Sequence, residues 1–204
     1  MGVSMKAGLT ILSPLVPYPP HSGGAGHISN AIRQLSESYL IQLYALAAAP
    51  ESVRWGSLAE WCAEVYAFRP TPRAAFTLDP PAVRRTFSAE LVSRAHSDWS
   101  QRPPAIVQLE FSDMAQYAPL ARQYGALVVC TAHNVAFLAQ VRRARQQRGL
   151  ALQARRWLGA LSLWLYELRA LRRCHLIVTL SEIDAAMFKA LASPVAGRSR
   201  SLRR

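Results

Sequence analysis

Short apolar runs alternate with amphipathic segments along most of the chain. Six runs are apolar over most of their length, are as long as a β-strand and end at glycine, proline or polar residues. The segments between them repeat apolar residues at the three- and four-residue spacing of a helix that covers a core. The predicted strands are residues 9–13, 40–46, 64–68, 105–109, 126–130 and 176–180.

Helices are predicted between these strands. Prolines at the start of one segment, a glycine after another and serines before the last indicate where helices begin and end. The predicted helices are residues 28–38, 57–62, 80–99, 113–124 with Gly125 as a C-terminal cap, 135–173 with a break near Gly149, and a last helix capped by Ser181 that ends near Leu191. Apolar strands separated by helices favour an α/β fold in which a parallel sheet is covered on both faces.

A glycine-rich stretch, PYPPHSGGAGH at residues 17–27, lies between the first strand and the first helix. The first N–H groups of a helix have no internal partner, and glycines let a phosphate approach the backbone closely. Gly23, Gly24 and Gly26 are therefore predicted to bind phosphate, the alternative being a turn that binds no ligand. Gly24, Gly26 and Ser29 match a dinucleotide fingerprint incompletely, and no acidic residue ends the second strand, so a nucleotide diphosphate fits better than NAD.

Length and composition fit one folded domain. The chain has 204 residues, of which 51% are hydrophobic, and this excludes a disordered chain. We predict one domain over residues 1–192, followed by a basic tail at 193–204 that is disordered because it has little apolar content. The apolar block 157–166 is too short to cross a membrane.

The net charge indicates which kinds of partner the chain could bind, and the cysteines indicate whether it contains disulfides or a metal site. The formal net charge is +12, which suggests a polyanion or a membrane surface as partner. Cys62, Cys130 and Cys174 are widely spaced and include no C-x-x-C pair. They are predicted to be reduced core residues of a cytoplasmic protein, and to form neither a disulfide nor a metal site. No cofactor is expected.

Glycine or polar clusters follow four of the predicted strands. Ligands of parallel α/β sheets bind at the carboxyl ends of the strands, so these clusters are expected at one edge. Each cluster has a structural alternative, since a Glu after a strand can cap a helix, a lone His is usually structural and Ser181 can serve only as an N-cap. The clusters are 23–26, Glu110-Phe111-Ser112, Thr131-Ala132-His133-Asn134 and Ser181-Glu182.

Taken together, these motifs resemble the N-terminal domain of the GT-B glycosyltransferases of family 4. The matching pieces are the glycine-rich stretch, residues 107–111, residues 131–134, Tyr166-Glu167 and residues 178–182, in the family's order. The resemblance covers most of the chain from Leu9 to about Leu191. It implies a Rossmann-like, doubly wound domain that binds the acceptor and faces a second domain holding a nucleotide sugar.

The resemblance also implies residue roles. Gly23, Gly24 and Gly26 would approach the donor diphosphate, His133 would lie near the donor sugar as the catalytic residue, and Glu110 and Asn134 would line the acceptor pocket. It implies a retaining transfer from a nucleotide sugar to a saccharide or a lipid-linked acceptor. The family's second domain is missing, so a fragment that is inactive on its own is expected. The alternatives are another Rossmann-type nucleotide-binding enzyme, such as an oxidoreductase, and a non-catalytic basic binding module.

The region 135–173 is rich in arginine and poor in acidic residues, and three interpretations stay open. The first is a solvated arginine face on a core helix whose Leu158, Leu161, Leu165 and Leu168 pack inward. The second is an interfacial helix on anionic lipid, at the inner face of the membrane. Nucleic-acid binding is the third and least favoured, because no nucleic-acid module is recognisable.

Overall fold

The computed structural model describes residues 6–71, 79–133, 136–146 and 149–191. The predicted tail at 193–204 and Asn134 lie outside the described residues. Six parallel strands form one sheet, and each overlaps a predicted strand. They are β1 Ala7–Ser13, β2 Tyr39–Leu46, β3 Glu64–Phe68, β4 Ile106–Glu110, β5 Leu127–Ala132 and β6 Leu176–Thr179.

The strand order is β3-β2-β1-β4-β5-β6. The chain starts in the middle of the sheet, builds one side through β2 and β3, and returns to build the other side from β4. This order confirms the predicted Rossmann-like, doubly wound α/β fold. It also creates a switch point between β1 and β4, which pair directly.

The helices cover both faces of the sheet. They are α1 Gly23–Leu35, α2 Leu58–Trp61, α3 Pro81–Arg85, α4 Ala89–Gln101, α5 Ala118–Gln123, α6 Ala136–Gln146, α7 Leu150–Leu171 and α8 Glu182–Leu191, with 3₁₀ segments at Pro50–Ser52 and Ser112–Tyr117. Neighbouring β1 residues illustrate the two layers. Ile11 packs in a cluster with α1 and α2, whereas Leu12 packs in a cluster with α4, α5 and α7, because successive strand side chains point to opposite faces.

Helix α1 begins five residues earlier than predicted, so the glycines form its first turn rather than a loop before it. Ser22 is the N-cap, and its hydroxyl oxygen accepts the N–H of Ala25 at 3.2 Å. The Gly26 N–H donates to the Ser22 carbonyl oxygen at 2.9 Å. Serine capping outweighs the low helix propensity of glycine here.

Two predicted helices are wrong in detail. The segment 80–99 divides into α3 and α4, because Ser88 starts a new helix by accepting the Leu91 N–H on its hydroxyl. The Tyr117 hydroxyl donates to the Thr86 carbonyl and accepts the Ser88 N–H, which holds the break. The segment 113–124 is a 3₁₀ turn followed by α5.

Three predicted helix ends are confirmed. Gly125 follows α5 with a φ of +73°, and Gly149 separates α6 from α7 with a φ of +95°. Positive φ values are accessible to glycine without a steric clash, so Gly125 can end α5 and Gly149 can serve as the residue from which α7 begins. The Ser181 hydroxyl accepts the Asp184 N–H at the start of α8.

The first interpretation of residues 135–173, in which four leucines of α7 pack inward, is wrong for three of them. The buried residues of α7 are Ala160, Leu163, Glu167, Ala170 and Leu171. By contrast, Leu158, Leu161 and Leu165 are exposed, and Leu168 is half-buried. The small alanines allow close approach to the core, and buried Glu167 binds the start of α6. These tertiary contacts, rather than apolar content, decide how the helix is rotated.

Candidate functional site

The candidate site lies at the switch point, where the carboxyl ends of β1 and β4 are adjacent. The chains leaving these two strands run in opposite directions across the sheet, and ligands of open α/β sheets bind outside such a switch point. Helix α1 begins shortly after β1, Glu110 ends β4, and His133 follows β5. The topology therefore brings together three of the four clusters that the sequence places after strands.

Glu110 and His133 form a buried pair. The Glu110 Oε2 atom lies 2.7 Å from His133 Nε2, and the two side chains are 1% and 5% exposed. Gln108 donates from Nε2 to Glu110 Oε1 at 2.6 Å, so both carboxylate oxygens have partners. Because an ionised carboxylate only accepts, this contact places a proton on His133 Nε2. It leaves Nδ1 as the ring nitrogen that can act on another group.

His133 Nδ1 is buried, and no described residue offers it a hydrogen-bond partner. Buried polar nitrogens are normally paired, so such an atom requires an explanation. The ring of His27 meets that of His133 edge-on, with centroids 5.2 Å apart. The unpartnered Nδ1 atom is therefore the feature of the Glu110–His133 pair that the described residues leave unexplained.

Phe111 connects the imidazole to the first turn of α1. Its ring stacks on His133 with centroids 3.9 Å apart and an interplanar angle of 12°. Its backbone has a φ of +68°, which is a strained value for a bulky side chain. A Cβ atom added at Gly24 would lie 2.8 Å from Phe111 Cζ, so Gly24 has to be glycine for this ring to fit.

The three predicted phosphate-binding glycines differ in their surroundings. A Cβ at Gly23 would meet nothing within 4 Å, so this residue faces open space. The N–H groups of Gly23 and Gly24 have no acceptor in the part of the chain that the structure describes, whereas the Gly26 N–H is used by Ser22. The phosphate site stays a prediction, and the amides available to it are those of Gly23 and Gly24.

The predicted acceptor residue Glu110 is brought into the site, but its carboxylate binds His133 and Gln108. The positive φ of Phe111 and the glutamine beneath the carboxylate were not anticipated. Gln108 and Glu110 are two residues apart on β4, so their side chains point to the same face of the sheet. This spacing is the sequence signal that could have revealed their contact. The strain at Phe111 has no signal in the sequence.

A second buried carboxylate lies beside the site. Glu167 of α7 accepts the Ser112 hydroxyl at 2.7 Å and the N–H groups of Ala136 and Phe137 at 3.2 Å each. It therefore caps α6 from another helix. Burial raises its pKa, and the hydrogen bonds from Ser112, Phe137 and Ala136 oppose that rise. Its isolation as the single acidic residue between positions 136 and 173 was the signal for this role.

Asp113 provides a prediction about pH. Burial raises its pKa from 3.8 to about 6, while the N–H groups of Asp113 and Met114 oppose the rise. Between about pH 4 and pH 6, the Asp113 carboxyl group therefore keeps its proton in the folded protein, whereas in the unfolded chain it has already lost it. The stabilisation by this proton is complete below about pH 4 and is lost as the pH rises through about 6, a change of about 2–3 kcal/mol.

The measurement is urea unfolding at several pH values for wild type and Asp113→Asn. The asparagine cannot ionise, so the difference between the two free energies of unfolding should vary across this window and be constant above it. Identical pH profiles would contradict a raised pKa at Asp113.

Searches of protein-family profiles and of curated sequences give no match to this chain. Solved structures do match. Sucrose-phosphate synthase from Thermosynechococcus elongatus has a TM-score of 0.63 and 12% identity, with 95% of this chain and 47% of that chain covered. UGT89C1 of Arabidopsis thaliana, complexed with UDP-L-rhamnose, has a TM-score of 0.56 and 11% identity, with coverages of 97% and 49%.

A UDP-glucosyltransferase from Polygonum tinctorium that can glucosylate indoxyl gives a TM-score of 0.55 at 10% identity, with 97% of this chain and 52% of that chain covered. These neighbours are GT-B glycosyltransferases. The chain spans about half the length of each of them. At such low identity the likeness establishes a shared fold, and it agrees with the fold that the family resemblance implied.

Proposed function

We propose that this chain is the acceptor-side domain of a GT-B glycosyltransferase, similar to family 4, that transfers a sugar from a nucleotide sugar to a saccharide or lipid-linked acceptor. One observation carries the proposal. The buried Glu110–His133 pair, with His133 Nδ1 unpartnered, lies beside the open first turn of α1 at the switch point of the sheet. Neighbours that share this fold include one complexed with UDP-L-rhamnose.

In this proposal the chain supplies positioning and charge stabilisation. The N–H groups of Gly23 and Gly24 face the diphosphate of the donor, where the positive end of the helix dipole favours negative charge. Glu110 orients the imidazole through its contact with Nε2, so His133 Nδ1 can hydrogen-bond the sugar or the leaving group. The bond between the anomeric carbon of the sugar and the nucleotide diphosphate breaks, the diphosphate leaves, and the acceptor hydroxyl bonds to that carbon on the same face, with no enzymic nucleophile.

The burial of His133 sets a condition on this chemistry. Only 5% of its side chain is exposed, and the rings of His27 and Phe111 both contact the imidazole. We propose that donor binding at the start of α1 moves one of these rings. We also propose that the chain alone transfers no sugar, because half a cleft neither orients a donor nor excludes water.

A dinucleotide-dependent oxidoreductase is the second candidate function. The end of β2, where a carboxylate would bind a ribose, carries Tyr44, Ala45 and Leu46, and all three are buried. This end of the strand therefore disfavours NAD. A non-catalytic basic module is the third candidate, and it predicts no nucleotide binding at Gly23.

The test is an NMR titration of the chain with a UDP-sugar, with NAD and with inorganic phosphate. We expect the UDP-sugar to shift the amide signals of Gly23 and Gly24 and the ring signals of His133, and to do so more strongly than NAD. His133→Ala should abolish the ring signals and leave the amide shifts, and His96→Ala, an exposed histidine on α4, serves as the control.

Stronger shifts with NAD would favour the oxidoreductase, and no shifts at Gly23 and Gly24 would contradict the proposed donor site. The purified chain is also incubated with labelled UDP-sugars and with saccharide and lipid acceptors. Product above that of the His133→Ala variant would contradict the proposed need for a second domain.

A further inference from the structure

The outward face of α7 is apolar at its centre. Leu158, Leu161 and Leu165 recur at helical spacing on this face, and Leu158 is 68% exposed. Trp157, also exposed, lies next to Leu158. Soluble domains rarely expose several large apolar side chains together, and such patches mark surfaces that bind something. We call these four residues the leucine stripe.

Arginines continue the same face at both ends of the stripe. Arg155 precedes Leu158 by one turn, and Arg169 and Arg172 follow Leu165 by one and two turns, all exposed. The face from Arg155 to Arg172 is about 26 Å long, at a rise of about 1.5 Å per residue. Along this face, the apolar side chains lie at the centre and the arginines lie at both ends.

Helix α6, which packs along α7, adds exposed Arg142, Arg143 and Arg145. Within the described residues, none of these three forms an ion pair with an acidic side chain, and neither do Arg155, Arg169 and Arg172. The acidic residue of this region, Glu167, lies on the buried face of α7, where its carboxylate accepts N–H groups of α6. Among the residues that the structure describes, the six arginines therefore have no acidic side chain that neutralises their charge.

We propose that the leucine stripe and its arginines bind the surface of an anionic lipid bilayer, with α7 lying in the plane of the interface. The leucines and Trp157 enter the boundary between head groups and acyl chains, while the arginines extend their charged ends to lipid phosphates. In the part of the chain that the structure describes, no helix is both long and apolar enough to cross a bilayer.

Other occupants fit this surface less well. A second copy packed on the same face would bring arginine-rich ends against each other, which is electrostatically unfavourable. A nucleic acid could pair its phosphates with the arginines, but its charged backbone would then lie against the exposed leucines. An anionic bilayer supplies both an apolar interior and a negative surface. The inference does not depend on the proposed transferase activity.

The experiment is flotation of the chain with vesicles of phosphatidylcholine alone or of phosphatidylcholine and phosphatidylglycerol in equal parts. Binding should require phosphatidylglycerol and should weaken as salt rises, since exposed charges are screened beyond about 8 Å at physiological ionic strength. The fluorescence of Trp157 should shift to the blue on binding, and Trp157→Phe should remove that shift.

Two matched pairs of variants test the surface itself. Replacing Arg155, Arg169 and Arg172 with glutamine should weaken binding by about a hundredfold, whereas the same change at exposed Arg33, Arg54 and Arg85 removes equal charge elsewhere and should weaken it far less. Leu158→Gln with Leu161→Gln should weaken it at least about tenfold. Ile183→Gln on α8, at 74% exposure, is the apolar control.

Three results would overturn the proposal. Equal losses in both arginine triples would show attraction by net charge alone. Absence of binding at low salt would exclude an anionic bilayer. A dimer in sedimentation that dissociates in Leu158→Gln would instead identify a second copy as the occupant. Because vesicle binding and UDP-sugar titration are measured separately, failure of one does not imply failure of the other.

Discussion

Replacing Glu167 with leucine is expected to lower the free energy of unfolding by about 3–5 kcal/mol. The glutamate carboxylate accepts one hydroxyl and two backbone N–H groups while buried at 2% exposure. Leucine fills similar volume but accepts nothing, so the Ser112 hydroxyl and the first N–H groups of α6 would remain buried without partners. Helix α6 should then lose its start and detach from α7.

The measurement is chemical unfolding followed by circular dichroism, with amide hydrogen exchange along α6. Glu167→Gln keeps one acceptor oxygen and should retain much of the stability. Glu90→Leu, at an exposed position in the first turn of α4, is the matched control and should change stability by no more than about 0.5 kcal/mol. If Glu167→Leu were as stable as this control, the carboxylate would not hold α6.

Gly24→Val is expected to lower the free energy of unfolding by about 1–3 kcal/mol and to displace Phe111 from His133. Even the first added carbon would lie 2.8 Å from Phe111 Cζ, and valine adds two methyl groups beyond it. The ring cannot move freely, because it stacks on the imidazole and belongs to a residue with a φ of +68°. A loss of nucleotide binding in this variant would therefore combine damage to the site with damage to the fold.

Gly23→Ala separates the two effects. Its Cβ meets no protein atom within 4 Å, so stability should stay within about 0.5 kcal/mol of wild type. UDP-sugar binding should still weaken if the phosphate approaches the backbone closely, because the methyl group would stand in its path. Normal binding by Gly23→Ala would show that the start of α1 is not a phosphate site.

A double-mutant cycle tests the contact between Gly24 and Phe111. Phe111→Leu removes the atoms that a Cβ at position 24 would strike, so Gly24→Ala should be less destabilising in that background than in wild type. Additive effects of the two substitutions would contradict the contact.

The site could be located from the sequence but not assembled from it. Parallel strands bring their carboxyl ends to one edge, so placing His133 after β5 and Glu110 at the end of β4 required only the strand pattern. Their 2.7 Å contact depends on the register between β4 and β5, in which Glu110 is opposite Thr131. The register between β4 and β5 is set by how the strands pack in the sheet, and it cannot be predicted from the pattern of apolar and polar residues within one strand.

The sequence by itself determined the six strands, the parallel class of the sheet and the ends at Gly125, Gly149 and Ser181. These depend on local apolar runs and on backbone preferences of single residues, which act over a few positions. The tertiary structure alone decided that Gly24 accommodates Phe111, that Glu167 caps α6, and that Leu158 faces outward on α7. Each of these facts depends on contacts between residues that are distant in the chain. A buried carboxylate that accepts three hydrogen bonds can outweigh a row of apolar side chains in deciding which side of a helix faces the core.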